Sequence, residues 1–267
     1  MSRPKTVLVV GASSGIGEAI AKRLIAKSHV VYGTSRDATR VSVDGVIPLS
    51  LDVFKNGSIA QAIETIVEQQ GRLDALIYSA GFYITGAVED TEMDRLREQM
   101  HAYFFAAVEC ARHALPHMRA QKSGRLVFMS STAGTVAIPF HAAYSASKGA
   151  LGRWTEALQY ELEPFGINAS YIEAGPIQTN AGQAMKAAQN DKSAYFERAA
   201  NAETSFKDSL SKGLPPDRIA RVVSDAIDRR RPKVRYRVGG AGAWFPRLQA
   251  MLPETIFRTL MQSAFKI

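Results

Sequence analysis

Apolar residues recur along this chain in two alternating rhythms. Short, nearly continuous apolar runs, rich in β-branched residues, occupy 6–10, 29–33, 46–53, 73–78, 124–131 and 167–172. Runs of that length and composition predict strands buried on both faces. Between them lie segments in which apolar residues return every three or four positions, at 18–25, 58–69, 89–121 and 142–163. That period predicts amphipathic helices. Ser58 is positioned to cap the second of these, and Pro116 is a candidate break in the long region 89–121. Strands alternating with helix-sized segments imply parallel βαβ units, hence a doubly wound α/β sheet with helices on both faces in one domain.

Ligands of such sheets bind outside the carboxyl ends of the strands. The first strand runs straight into Gly11, Ala12, Ser13, Ser14, Gly15, Ile16 and Gly17, and then into a helix. Backbone approach to a pyrophosphate needs positions without side chains, and a helix N-terminus adds N–H groups and a positive dipole end. The spacing is G-x-x-x-G-x-G rather than the commoner dinucleotide fingerprint. After the second strand come Thr34, Ser35 and Arg36, with Asp37 one step beyond. A guanidinium there suits a ribose 2′-phosphate, so NADP(H) is favoured over NAD(H). Asp52 and Val53 end the third strand, Asp52 being able either to cap the next helix or to meet an adenine amino group. Ser79, Ala80 and Gly81 follow the fourth strand, Ser131 ends the fifth, and Gly175, Ile177 and Thr179 follow the sixth. All of these fall at one edge of the sheet.

Tyr144 and Lys148 share one face of the helix 142–163. An ammonium beside a phenol favours the phenolate and readies it for proton transfer near neutral pH. At about 4 Å and an effective dielectric of ~20 the attraction is roughly 4 kcal/mol, or about three pKa units before desolvation is counted.

Composition narrows the remaining choices. The apolar fraction of 46% and charged fraction of 22% are ordinary for a globular chain. One cysteine, Cys110, excludes an internal disulfide framework and fits a reducing, cytoplasmic setting, and no metal site is expected from five scattered histidines. The first apolar run is too short for a signal peptide or a span. The net charge of +8 is densest from Arg229 to Arg237, where Val234, Tyr236 and Val238 alternate as on a half-buried strand. A helix end (217–229) followed by a strand is therefore expected there rather than nucleic-acid binding. Residues 180–213 have helix-forming composition with Met185, Tyr195, Phe196 and Phe206 as candidate pocket linings or simple packing residues. Residues 243–267 carry Trp244, Phe245 and Leu248, then Leu252, Ile256, Phe257, Leu260, Met261, Ala264 and Phe265 on a helical stripe. That extension suits core or dimer packing, a cover over a hydrophobic substrate, or weak contact with a membrane surface.

Taken together, the glycine turn, Ala80-Gly81, Ser131 thirteen residues before Tyr144, and Lys148 four beyond it resemble the short-chain dehydrogenase/reductase family in its compact single-domain branch. The resemblance spans about residues 7–179 by motifs. It implies Tyr144 as general acid/base, Ser131 as the hydroxyl orienting substrate oxygen, and Lys148 as the residue that holds the nicotinamide ribose and lowers the tyrosine pKa. It also implies that 180–213 is a mobile substrate lid. Three positions depart from the family pattern: Tyr78-Ser79 stand where many relatives have Asn-Asn, Ala174 where they have Pro, and Tyr103 where an asparagine serves a water-borne proton relay. The expectation is an NADP(H)-dependent oxidoreductase of lipophilic alcohols and carbonyls, assembled as a homodimer or homotetramer. The alternative is an NADP-binding sensor or scaffold with little turnover.

Overall fold

The computed structural model describes residues 3–179, 186–187, 191–240 and 244–267. Its centre is a parallel seven-stranded sheet built from β1 (Thr6–Val10), β2 (Val30–Ser35), β3 (Ile47–Ser50), β4 (Ala75–Tyr78), β6 (Gly124–Ser131), β7 (Ile167–Ala174) and β9 (Arg235–Val238). The order across the sheet is β3-β2-β1-β4-β6-β7-β9. A separate short pair joins β5 (Ile84–Thr85) to β8 (Lys186–Ala187).

Alternation along each strand assigns residues to the two faces. Leu8, Val10, Leu76, Tyr78, Leu126 and Phe128 point to one side, where α2 (Ser58–Gln70), α4 (Ala106–Ala120) and α5 (Ala142–Leu162) cover them with Ile59, Ile63, Ala107, Ala111, Leu151 and Leu158. Val7, Val9, Ala75, Ile77, Val127 and Met129 point to the other, against Ile20 and Leu24 of α1 (Gly15–Ile25) and Ile219 and Val223 of α7 (Pro216–Asp228). Strands buried on both sides explain the continuous apolar runs in the sequence.

Several expected details shift. Gly57, in a left-handed conformation, takes the N-cap position of α2, and the hydroxyl of Ser58 instead accepts from the Asp52 N–H at 3.0 Å. Pro116 sits within α4 without ending it. The long helical region is interrupted earlier, by a π turn at His101–Phe105 between α3 (Met93–Met100) and α4. Such turns carry an extra residue and are common at functional sites. β7 runs two residues further than its apolar pattern, because Glu173 is buried with the guanidinium groups of Arg235 (2.6 Å) and Arg237 (2.9 Å) on β9.

The C-terminal stripe is split between α8 (Phe245–Met251) and α9 (Glu254–Phe265). Phe257 and Met261 are buried against Val136, whereas Ile256 and Leu260 stay exposed. Met185 lies outside the described residues, as does much of 180–190. Among the described residues no helix is long and apolar enough to cross a membrane.

Candidate active site

A cleft of about 790 Å³ opens along the carboxyl ends of the strands. Its nucleotide-like end is made mostly of backbone. The N–H of Ala12 donates to the Thr34 carbonyl (2.8 Å) and that of Ser79 to the Val10 carbonyl (2.9 Å), which ties the ends of β2, β1 and β4 together. Gly11, at φ +85°, has Ala80 backbone 2.9 Å from where a Cβ would stand. A Cβ on Gly17 would fall 2.0 Å from the Gly11 carbonyl oxygen, so α1 leaves β1 at a distance only glycine permits. Gly17 therefore works behind the cleft wall, while Gly11, Ser13, Ser14, Gly15 and Ile16 line it. Ser14, the N-cap of α1, makes no side-chain cap, which leaves the first-turn N–H groups uncapped by it. That is the donor set a pyrophosphate needs.

Arg36 lines the same end, and so does Arg40, which the sequence reading missed. Asp37 is turned elsewhere: its carboxylate accepts from the Thr39 N–H (3.0 Å) and hydroxyl (2.6 Å), contacts that hold it below the usual carboxylate range. The local outcome is that Arg36 and Arg40 both line the cleft while the neighbouring carboxylate is engaged in capping a short turn at Ala38–Arg40. Asp52 lines the cleft but caps no helix; its carboxylate accepts from the Phe54 N–H at 3.0 Å. Val53, Ser79, Ala80, Gly81, Gly175, Ile177 and Thr179 line the floor and far wall. Glycines at the turn, free donors at α1 and paired cations suit a phosphorylated dinucleotide.

The other end is made of side chains. α5 carries Tyr144 and Lys148 one turn apart, and both are buried. The helix is drawn close by a hydrogen bond from the Ser130 hydroxyl to the Lys148 carbonyl (2.9 Å). Gly134 allows that approach, since a Cβ there would lie 2.6 Å from Lys148 backbone. Ser131 and Tyr83 both lie beside Tyr144 in the lining of the cleft. The Ser131 oxygen accepts from the Ala133 N–H at 3.1 Å.

Lys148 does not act on Tyr144 as the spacing suggests. Its ammonium donates to the Met129 carbonyl at 2.7 Å and sits over the ring face of Tyr103, 3.8 Å from the centroid, whereas the Tyr144 centroid is 5.9 Å away. Burial pushes the Lys148 ammonium down to about 7. Burial raises Tyr144 well above the ordinary tyrosine value, Tyr83 adds to the rise, and the hydroxyl of Ser131 opposes it. The expected lowering by the lysine is outweighed because desolvation acts against both charged forms at once.

Tyr103 comes from the π turn. Its Cε1 occupies the space above Gly81, 2.0 Å from where a Cβ would stand, and its ring packs edge-on against Tyr144 at 5.4 Å. Tyr78 supports that turn by donating to the Ala102 carbonyl at 2.5 Å. Two departures from the family pattern, at 78 and 103, are thus parts of one arrangement. Tyr83, also missed from sequence, packs on Tyr144 (4.8 Å) and on Phe206 (5.4 Å) of α6 (Phe196–Ser211). Phe206 and Leu210 reach the site from α6, but Tyr195 and Phe196, at its start, are not among the residues lining this cleft. His101 is engaged with other groups: its Nε2 meets the Val53 carbonyl at 2.7 Å, and its ring stacks on Phe54. Among the described residues no group of His, Cys, Asp and Glu is arranged to hold a metal ion.

Fold and cleft together define a dinucleotide-binding α/β protein of the Rossmann type. The family model for short chain dehydrogenase matches residues 5–190. A 3-ketodihydrosphingosine reductase of Bacteroides thetaiotaomicron is 32% identical, the match covering 99% of this chain and 98% of that one. Human 17-beta-hydroxysteroid dehydrogenase type 1 is 29% identical over 86% of this chain and 76% of its own length. The solved structure of a short-chain dehydrogenase from Streptomyces avermitilis superposes with a TM-score of 0.84 at 28% identity, covering 98% of this chain and 97% of that one. The chain belongs to the short-chain dehydrogenase/reductase family and is an oxidoreductase acting on CH–OH groups.

Proposed function

We propose that this chain is an NADP(H)-dependent oxidoreductase that interconverts a lipophilic secondary alcohol with its ketone, or an aldehyde with its alcohol. The observation that carries the reading is the Tyr144 phenol, buried in the cleft lining with Ser131, and with Lys148 one turn along the same helix. The cofactor, when bound, supplies or accepts the hydride. Arg36 and Arg40 would hold the 2′-phosphate, the uncapped start of α1 the pyrophosphate, and Lys148 the nicotinamide ribose.

Ser131 and Tyr144 orient the substrate oxygen through their hydroxyls. Tyr144 gives its proton to that oxygen on reduction and takes one back on oxidation. A phenol kept protonated by burial is ready to donate, which fits the reductive direction. Support for a lipophilic substrate comes from the aromatic wall of Tyr83 and Phe206 beside Tyr144. The names of two relatives, a ketodihydrosphingosine reductase and a hydroxysteroid dehydrogenase, agree with it.

The test mixes the protein with NADPH and a panel of ketones and aldehydes, including long-chain and polycyclic ones, and follows loss of NADPH absorbance. Turnover is expected with the wild type, and a loss of ~10²–10⁴-fold in Tyr144→Phe with NADPH affinity retained. A Tyr144→Phe enzyme that turns over normally overturns the mechanism. A second reading, an NADP-binding sensor with little turnover, is favoured by one observation: the Lys148 ammonium is already occupied by Met129 and the Tyr103 ring. NADPH binding without turnover of any carbonyl in the panel is its signature.

A further inference from the structure

We infer that Phe54, backed by His101, is a stacking surface for the adenine ring of the dinucleotide. The inference rests on the reading of the cleft as an NADP(H) site. It concerns what holds the base, a part of the cofactor that neither the glycine turn nor the arginines address.

β3 runs beside β2 with Ser50 opposite Ser35. The pairing continues past both strand ends. The Leu51 N–H donates to the Ser35 carbonyl (2.8 Å), and the Ser50 hydroxyl donates to the Arg36 carbonyl (3.0 Å). The stretch Asp52–Phe54 therefore leaves the sheet next to Arg36, and both line the same end of the cleft. In NADP(H) the 2′-phosphate and the adenine are carried on one ribose. The ring system to be held beside Arg36 is therefore the purine, not the nicotinamide.

Phe54 is 48% exposed although it is large and apolar. A singly exposed apolar residue is ordinary, but this one is fixed in place. Its N–H donates to the Asp52 carboxylate (3.0 Å), and the Lys55 N–H closes the turn on the Asp52 carbonyl (3.1 Å). The His101 Nε2–H donates to the Val53 carbonyl at 2.7 Å, and the imidazole stacks on the Phe54 ring with centroids 5.1 Å apart and planes 28° from parallel. The Phe82 ring stands 6.4 Å away, tilted by 48°. A ring held by such contacts has little freedom left to lose when a ligand arrives. A phenyl group has no donor for phosphate or ribose oxygens. What it offers is a π face, and every nucleobase has a matching one. His101 belongs to the π turn that also supplies Tyr103, so one irregular turn serves both ends of the cleft.

The experiment titrates the full chain by calorimetry with NADPH, NADH and 2′,5′-ADP, comparing wild type with Phe54→Leu, Phe54→Trp, His101→Leu and Arg36→Ala. Phe54→Leu keeps the apolar bulk but loses the ring, and is expected to weaken all three ligands alike, by ~10-fold. Phe54→Trp should bind all three at least as tightly as wild type. His101→Leu should shift all three in the same direction as Phe54→Leu, by less. With a turned-over ketone, Phe54→Leu should raise the KM for NADPH and leave kcat unchanged, because the base is remote from the reacting atoms. Phe54→Leu binding all three ligands as wild type does overturns the inference. So does a loss confined to NADPH and 2′,5′-ADP, the pattern expected of Arg36→Ala. A wild type that binds none of the three defeats the reading on which the inference rests. If Arg36→Ala affects NADPH and NADH equally while Phe54→Leu weakens both, the preference for NADP(H) falls and the stacking surface stands.

Discussion

The two ends of the cleft are made of different materials. At the nucleotide end the surface is turn backbone, a helix start and two arginines, with glycines setting the approach. At the reaction end four aromatic rings, a buried ammonium and a serine converge from five separate segments. A site made of backbone is fixed by local conformation, so residues within one short stretch suffice to build it. A site made of side chains depends on how distant segments pack, and desolvation there becomes as strong as any pairwise charge effect. The raised Tyr144 and lowered Lys148 show that balance directly.

Substitutions at the two ends should therefore fail in different ways. After Tyr144→Phe, the largest expected change also belongs to the reaction end: Ser131→Ala should cut turnover by ~10²-fold while leaving NADPH affinity unchanged, measured as separate kcat and fluorescence titrations. A matched loss of NADPH binding would mean that the two ends are not separable. Next comes Arg36→Ala at the nucleotide end, where losing a charge-assisted contact of ~1.5–3 kcal/mol should weaken NADPH by about 10–100-fold and NADH hardly at all. Arg40→Ala should follow in the same direction with a smaller effect.

These expectations also mark how far the sequence could be read. The strand–turn–helix at 6–25, the hydroxyl at 131 and the Tyr144–Lys148 pair all rest on local spacing, and their positions at one cleft follow from the parallel topology. Arg40 escaped because only the folding of 38–40 into a short turn brings it beside Arg36. The break at 101–105 escaped because nothing in the apolar period distinguishes a π turn from a helix, whereas Pro116 looked like a breaker and is absorbed inside α4. Tyr83 and the Tyr103–Lys148 contact escaped because both are meetings of side chains far apart in sequence. The apolar stripe of 252–265 was visible, but which half of it would be buried depended on Val136 lying opposite.

Two smaller effects sharpen the comparison within the reaction end. Gly81→Ala adds a Cβ where the Tyr103 ring stands and at φ +154°, so a loss of ~1–3 kcal/mol is expected. Tyr103→Asn in the same chain should recover the part due to the clash, read as non-additive changes in thermal stability. Simple additivity would mean that ring and glycine do not meet.

The smallest effect concerns Lys148. An unfolded lysine keeps its proton to about pH 10.4, while the folded one releases it near 7. Between these values the unfolded chain binds more protons, so stability rises with pH, and the penalty is complete only below about 7. The melting temperature of the wild type should gain a few degrees on that of Lys148→Met between about pH 6 and about pH 9. A difference that does not change with pH would mean that the ammonium is not desolvated as described.

The central claim is that this cleft moves a hydride between a nicotinamide and a carbonyl carbon. The most direct measurement uses NADPH deuterated at the hydride-donating carbon, incubated with the enzyme and a reactive ketone, with the alcohol product analysed by mass spectrometry. The account predicts one deuterium on the carbinol carbon in the wild type and next to no labelled alcohol with Tyr144→Phe. Alcohol formed without deuterium at that carbon would contradict it.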